Sequence, residues 1–465
     1  MSKNNQDTAL ISHLMSRAGF GCNQYKLENL SLTPYEEIVD DLLNPERFEE
    51  VEEDLINRYY GWDTVNAPPA RWIYRMINTE RPLQEKMALF WHYIFATAFF
   101  KSEHHTSLNR QIEMFQKFGM QNFKTILFEL SRDPAMIYWL DNNENINGEA
   151  NENYGRELLE LFSMGASNYT ESDVKMAARA FTGWTFDQPL PLYPHGLYDA
   201  AFKYKADEHD RGIKHFLGET GNFDGNDIID IIVKQPATAT FISRHLYNFF
   251  VSDEPQVAAW QIDPPQDPEA IRTLVSAYLT SNGDIKSVLN QLFNSDFFKN
   301  SQAKKVKSPV ELVTGIINLT GTTPHPSPGM GPYQDAIKAM GQELLNPPTV
   351  EGWHTGKEWI DGGTLNERIN FAVNQVSDVH TPGIQDIINR IFSKKRSLEP
   401  REFMNVCLEL VGPIKVGYMT QSALIEFAES GDKLVFNTKK NRTISKNRII
   451  RMIQLIVSST EYQFV

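Results

Sequence analysis

The residues best suited to chemistry lie between Asn151 and Phe162, in the run NENYGRELLELF. This run holds two amides, three carboxylates and one guanidinium. Its Leu158, Leu159, Leu161 and Phe162 read as the buried side of a helix. The polar group falls at the helix start, where backbone N–H groups are unpaired and the dipole is positive. Residues four apart share a helical face, which pairs Glu152 with Arg156, Asn153 with Glu157 and Arg156 with Glu160. Glu152 or Glu157 could then take a proton or bind a cation. Arg156 would orient them or hold an anionic group, and Asn151 and Asn153 would contact the substrate. The same spacing also suits an exposed ion-pair ladder.

Other segments carry candidate groups. His209-Asp210-Arg211-Gly212-Ile213-Lys214-His215 offers His209 for acid–base or metal work, Asp210 as a second ligand and Lys214 as a cation. Arg179 to Trp184 supplies a guanidinium against an apolar face and an indole that could wall a pocket. Core packing with a helix stop at Gly183 explains that segment equally well. His92, beside Trp91 in an apolar helix, reads as a core histidine. Asn346 to His354 is a rigid turn whose Trp353 could cover a neighbouring surface. A divalent metal, if one takes part, has Glu152, His209 and Asp210 as candidate ligands. Dinucleotide, P-loop, zincin and α/β-hydrolase motifs are all missing from the sequence.

Helical periodicity governs the elements that must position these groups. Thr33-Pro34 opens one helix. Arg71 to Phe100 is helical, with its most apolar part from Met87 too short to span a membrane. Thr170 caps another helix, with Asp173 completing a short-armed capping box, and that helix stops at Gly183. From Trp184 to Phe216 the periodicity lapses, and Phe202-Lys203-Tyr204-Lys205 alternates like a strand. The expected fold is therefore mainly α, a multi-helix orthogonal array with one irregular loop and short β excursion over about residues 184–226. Ser252–Asp267 and Gly321–Pro332 read as linkers. Residues 1–320 form the expected main helical domain with the site. Residues 321–465 form a C-terminal helical part packed on it.

The 465 residues carry a formal charge of −14, which argues against nucleic acid as the main partner. Cys22 and Cys407 are the only cysteines and read as free thiols, with one long-range bridge between them as the alternative. The N-terminus shows no charged and apolar leader pattern, so a cytoplasmic location is favoured.

Several segments together resemble the bacterial family catalogued as domain of unknown function 1800. They are His13 to Gly21, Lys86 to His92, Asp133 to Met136, Asn151 to Asn153 with Arg156 to Leu158, and Tyr169 to Val174. Ala178 to Trp184, His209-Asp210 with Lys214, Lys307 to Glu311, and Pro347-Pro348 with Gly352-Trp353 complete the set. The resemblance implies one α-rich unit. It also implies a sulfatase-like partner protein and export of many members. The family's second histidine, two places after His92, is Ile94 here. No activity comes with the resemblance. The residues themselves suggest an enzyme, a hydrolase or group transferase on a polar substrate. Its site would combine Glu152, Glu157, His209 and Asp210 with Asn151, Asn153, Arg156, Arg179, Trp184, Lys214 and Trp353. The alternatives are a helical scaffold that binds a partner protein and a carbohydrate-binding protein using Trp184 and Trp353.

Overall fold

A computed structural model of the chain describes residues 3–59, 67–102, 104–187, 200–323, 328–394 and 396–465. The fold is mainly α, with twenty-four α-helices and three two-stranded sheets among the described residues. Six helices position the groups discussed below. They are α1 (Lys3–Arg17), α2 (Pro82–Ile94), α3 (Asn153–Glu160), α4 (Glu171–Ala180), α5 (Pro309–Thr320) and α6 (Gly362–Ser377).

The core is built around α2, which is buried on every side after its first turn. A mostly apolar helix of this kind belongs inside, and the charges it carries there need partners, as Lys86 has in Glu311. Trp91 fixes its C-terminal half, stacking on Phe95 at 5.1 Å and donating to the Gly119 carbonyl at 2.8 Å. α5 is nearly as buried, and it packs against α6 and the Ala67–Asn78 helix. Among the described residues, no helix is long and apolar enough to cross a membrane.

The α4 start follows the sequence. Thr170 Oγ1 accepts from Asp173 N at 3.2 Å and Asp173 Oδ2 accepts from Thr170 N at 2.8 Å, closing the capping box. The excursion after α4 holds more order than the sequence suggests. β1 (Trp184–Asp187) pairs antiparallel with β2 (Ala201–Tyr204), with Trp184 opposite Tyr204. β3 (Lys214–Phe216) and β4 (Glu219–Gly221) form a second hairpin. Its two turn residues, Leu217 and Gly218, both have positive φ, as tight hairpins with a right-handed twist require. Asp173 Oδ1 accepts from Leu217 N at 2.8 Å, so one carboxylate serves both the helix cap and the hairpin turn.

The segment Ser252–Asp267 is not a free linker. Glu254 is buried and takes two bonds from Arg244, at 3.1 and 2.7 Å, and Asp253 binds Lys305 at 3.0 Å. Prolines and acids marked it as solvated. Those acids are instead the counter-charges of buried cations.

Candidate functional site

The Asn-rich loop before α3 is where local structure begins. Asn142 and Asn145 are buried, and their amides tie this loop to the end of α4 and the start of β1. Asn145 Nδ2 donates to the Ala178 carbonyl at 2.8 Å and Asn142 Nδ2 to the Trp184 carbonyl at 2.8 Å. Carbonyls in the last turn of a helix need partners beyond it, and Asn145 supplies one. Asn145 Oδ1 then accepts from Asn151 N at 2.9 Å, and Asn151 Oδ1 accepts from Asn153 N at 2.9 Å. Asn151 therefore starts α3. Asn153 Nδ2 donates to Asp141 Oδ2 at 3.3 Å.

Arg156 is held on both sides. It meets Glu171 through two bonds of 2.8 Å each and Glu152 at 3.2 Å. The Glu171 hydrogen bonds are the main reason its guanidinium is more basic than usual. The pair joins the start of α3 to the start of α4, which pack together along their length. Gly155 lies at that contact, where a Cβ would press on the α4 backbone at Val174 and Ala178.

The second group lies at the other end of α4. Arg179 is eight residues beyond Glu171, about 12 Å along a helix rising ~1.5 Å per residue. Its Nε donates to Asp210 Oδ2 at 2.7 Å and its Nη2 to Asp210 Oδ1 at 3.2 Å. These bonds come first among the causes that hold the Asp210 carboxyl below its usual range. Thr182 Oγ1 accepts from Asp210 N at 2.8 Å. His209 Nδ1 reaches the Thr182 carbonyl at 3.0 Å, which fixes the proton on Nδ1, since a carbonyl only accepts. Lys214 Nζ is buried and donates to the Asp210 and Gly212 carbonyls at 2.6 and 3.2 Å. Gly183 has φ +74, and a Cβ there would collide with the Lys205 carbonyl oxygen. The Arg179–Trp184 and His209–Lys214 segments thus form one closed network that fastens the hairpins to α4.

The structure therefore brings the sequence candidates together in two groups rather than one. Glu152, Glu157 and Arg156 belong to the first, reached through Asn151 and Asn153. Arg179, His209, Asp210 and Lys214 belong to the second. Trp184 is 4% exposed and packs against Phe181 and Phe202. Trp353 is 3% exposed and lies edge-on to His92 at 5.2 Å. His92 is a core histidine, pushed down to about 3 by burial, and its Nε2 accepts from Leu345 N at 3.1 Å.

The metal candidates are engaged elsewhere. Glu152 faces Arg156, Asp210 faces Arg179, and His209 uses Nδ1 on Thr182. Among the described residues, no group of three or more His, Cys, Asp or Glu is placed to hold a metal ion. Cys22 and Cys407 are free thiols.

Glu157 differs from all of these. It is half-buried on α3, and no hydrogen bond or ion pair reaches its carboxyl group among the described residues. Burial raises its pKa to about 7, Glu160 and Glu351 push the same way, and Arg156 opposes them. Glu160 itself accepts from the Tyr169 hydroxyl at 2.7 Å. Sequence reasoning left out Glu351, although it lies in the turn singled out for Trp353. Nothing local tied that turn to α3.

This geometry defines a mainly α-helical protein in which Glu157, on α3, keeps a carboxyl without a hydrogen bond or ion pair among the described residues. The chain matches the family described as "Protein of unknown function (DUF1800)" over residues 13–464 and belongs to it. No curated protein and no solved structure matches the chain.

Proposed function

We propose that this protein is an enzyme in which Glu157 moves a proton during hydrolysis or group transfer on a polar substrate. The observation that carries the reading is the unpaired, half-buried Glu157 carboxyl beside Glu160 and Glu351. A carboxyl group near half-protonation at neutral pH can both give and accept a proton, as general acid–base catalysis needs. Arg156, one residue away and pinned by Glu171, supplies a fixed positive charge beside it. Asn153 is exposed at the same helix start.

A panel of chromogenic aryl esters, phosphates, sulfates and glycosides tests this reading. Wild-type protein should turn over one class, with a pH–rate limb near 7. Glu157→Gln should abolish that turnover while keeping the fold. An unchanged rate in Glu157→Gln, or no turnover of any class, would reject the reading.

A second reading is a helical scaffold for a partner protein, the sulfatase-like protein implied by the family resemblance. The observation favouring it is the closure of the Arg179–Asp210–Lys214 network, which has the form of a partly buried architectural joint. Under that reading Glu157→Gln leaves every measured turnover unchanged.

A further inference from the structure

The run Lys307-Ser308-Pro309-Val310-Glu311 takes no part in the face on α3. Ser308 caps α5, its Oγ accepting from Glu311 N at 3.3 Å, while Glu311 Oε2 accepts from Ser308 N at 2.7 Å. Lys86, from the middle of α2, donates to the other Glu311 oxygen. Four further cations surround this carboxylate. Lys305 binds Asp253 at 3.0 Å, and Lys307 donates to the Tyr462 carbonyl at 2.8 Å. Arg368, on α6, donates to Gln463 Oε1 and the Lys307 carbonyl, each at 2.8 Å. Arg17, at the end of α1, donates to the Val251 carbonyl at 2.7 Å. All five cations feel the charge of Glu311.

Charge and hydrogen bonding show the same imbalance. Two carboxylates, Glu311 and the partly exposed Asp253, face four interior cations and Lys307 at the rim, and buried charge without its counter-charge is strongly unfavourable. Arg17 is 1% exposed and Arg368 is 0% exposed. Arg17 Nε and Nη1 and Arg368 Nη1 are buried and have no hydrogen-bond partner among the described residues. Guanidinium edges left open in this way suit the oxygens of a planar or tetrahedral anion. The N-terminal end of α5 adds its own positive potential. Burial also drives Lys307 down to about 7, with Arg368 pushing the same way, and Arg17 and Arg368 to about 10, shifts that a bound anion would reverse.

We propose that the cluster of Arg17, Lys86, Lys305, Lys307 and Arg368 at the start of α5 is a binding site for one small doubly charged oxyanion of the phosphate or sulfate type. Arg17, Lys86 and Arg368 are sealed in the core, and Lys307 is half-buried at the rim. The ion is therefore a resident one that ties α1, α2, α5 and α6 together, and its binding is read as stability.

The test uses the full chain dialysed into chloride and scanned calorimetrically at matched ionic strength with inorganic phosphate, sulfate or chloride. Tm should rise and saturate at low millimolar phosphate or sulfate, and chloride should have no such effect. Lys307→Gln should raise the half-saturating concentration roughly tenfold, the loss of one charge-assisted hydrogen bond. A rise that stays linear in salt and is the same in Lys307→Gln is general salt exclusion and overturns the proposal, as does no rise at all. If Lys307→Gln does not fold, isothermal titration of wild-type protein decides: one saturable site supports the proposal and no saturable heat overturns it. Glycerol phosphate separates a free ion from an ester headgroup, and stabilisation by the ester alone would overturn the resident-ion account.

Discussion

Arg179 grips Asp210 through both edges of its guanidinium, at 2.7 and 3.2 Å, and this joint locks the His209–Lys214 loop onto the end of α4. Asp210 also accepts from Gly212 N at 2.7 Å, so both of its carboxylate oxygens are engaged within the joint. Asp210→Ala should therefore cost about 2–4 kcal/mol of stability, since it leaves the partly buried Arg179 unpaired. Denaturant unfolding measures this. Activity per folded molecule should change little. A large loss of activity with no loss of stability would return Asp210 to the reaction.

The same joint sets an acid limit. The Arg179 hydrogen bonds lower the folded pKa of Asp210 below 3.8, so the folded state favours the charged form. That contribution is fully present above the unfolded value and fades as pH falls through the folded one. Stability of wild-type protein should decline below about pH 4, and Asp210→Asn should flatten that part of the decline. Equal acid sensitivity in both proteins would contradict the assignment.

Gly183→Ala should be among the most damaging single changes in the excursion. The backbone there is left-handed, and the new Cβ would meet the Lys205 carbonyl. A penalty of at least ~3 kcal/mol is expected from strain and collision together. A drop in Tm with loss of the β1–β2 hairpin signals checks it.

Lys86 and Glu311 form a buried pair between α2 and α5. Glu311→Gln should cost about 3–5 kcal/mol, because it leaves Lys86 charged and unpaired in the core. The double change Lys86→Met with Glu311→Leu should cost less than the sum of the single changes. Additive losses in a double-mutant cycle would show that the two do not act as a pair.

The parts of this fold legible in the sequence are those fixed by neighbours along the chain. The Thr170–Asp173 capping box, the stop at Gly183 and the strand at Phe202–Tyr204 follow from local chemistry. The β3–β4 hairpin escaped notice because its turn uses Leu217, a residue that rarely adopts positive φ, and Asp173 supports it from another element. Ser252–Asp267 looked like a linker because the cations that bury Asp253 and Glu254 come from distant segments. The candidate site divides in the same way. Asn151, Glu152, Arg156 and Glu157 were visible as one polar helix start. Their separation from Arg179 and Asp210 was not, because it depends on which end of α4 each group reaches. Trp184 and Trp353 looked available for a ligand, yet both serve the core.

The central claim is that Glu157 exchanges a proton near neutral pH. Its folded pKa, about 7, lies above the ordinary 4.5, with burial the largest cause. The folded state then binds the proton more tightly, so this group costs stability as pH rises from 4.5 through 7, and Glu157→Gln should stabilise the protein by about 1–2 kcal/mol at pH 8, after discounting for its partial exposure. At pH 4 the two proteins should be equal. The direct measurement is a carboxyl carbon-13 NMR titration of wild-type protein, with Glu157→Gln to assign the resonance. A midpoint between about 6 and 8 is the predicted result. A midpoint near the ordinary glutamate value would contradict the account.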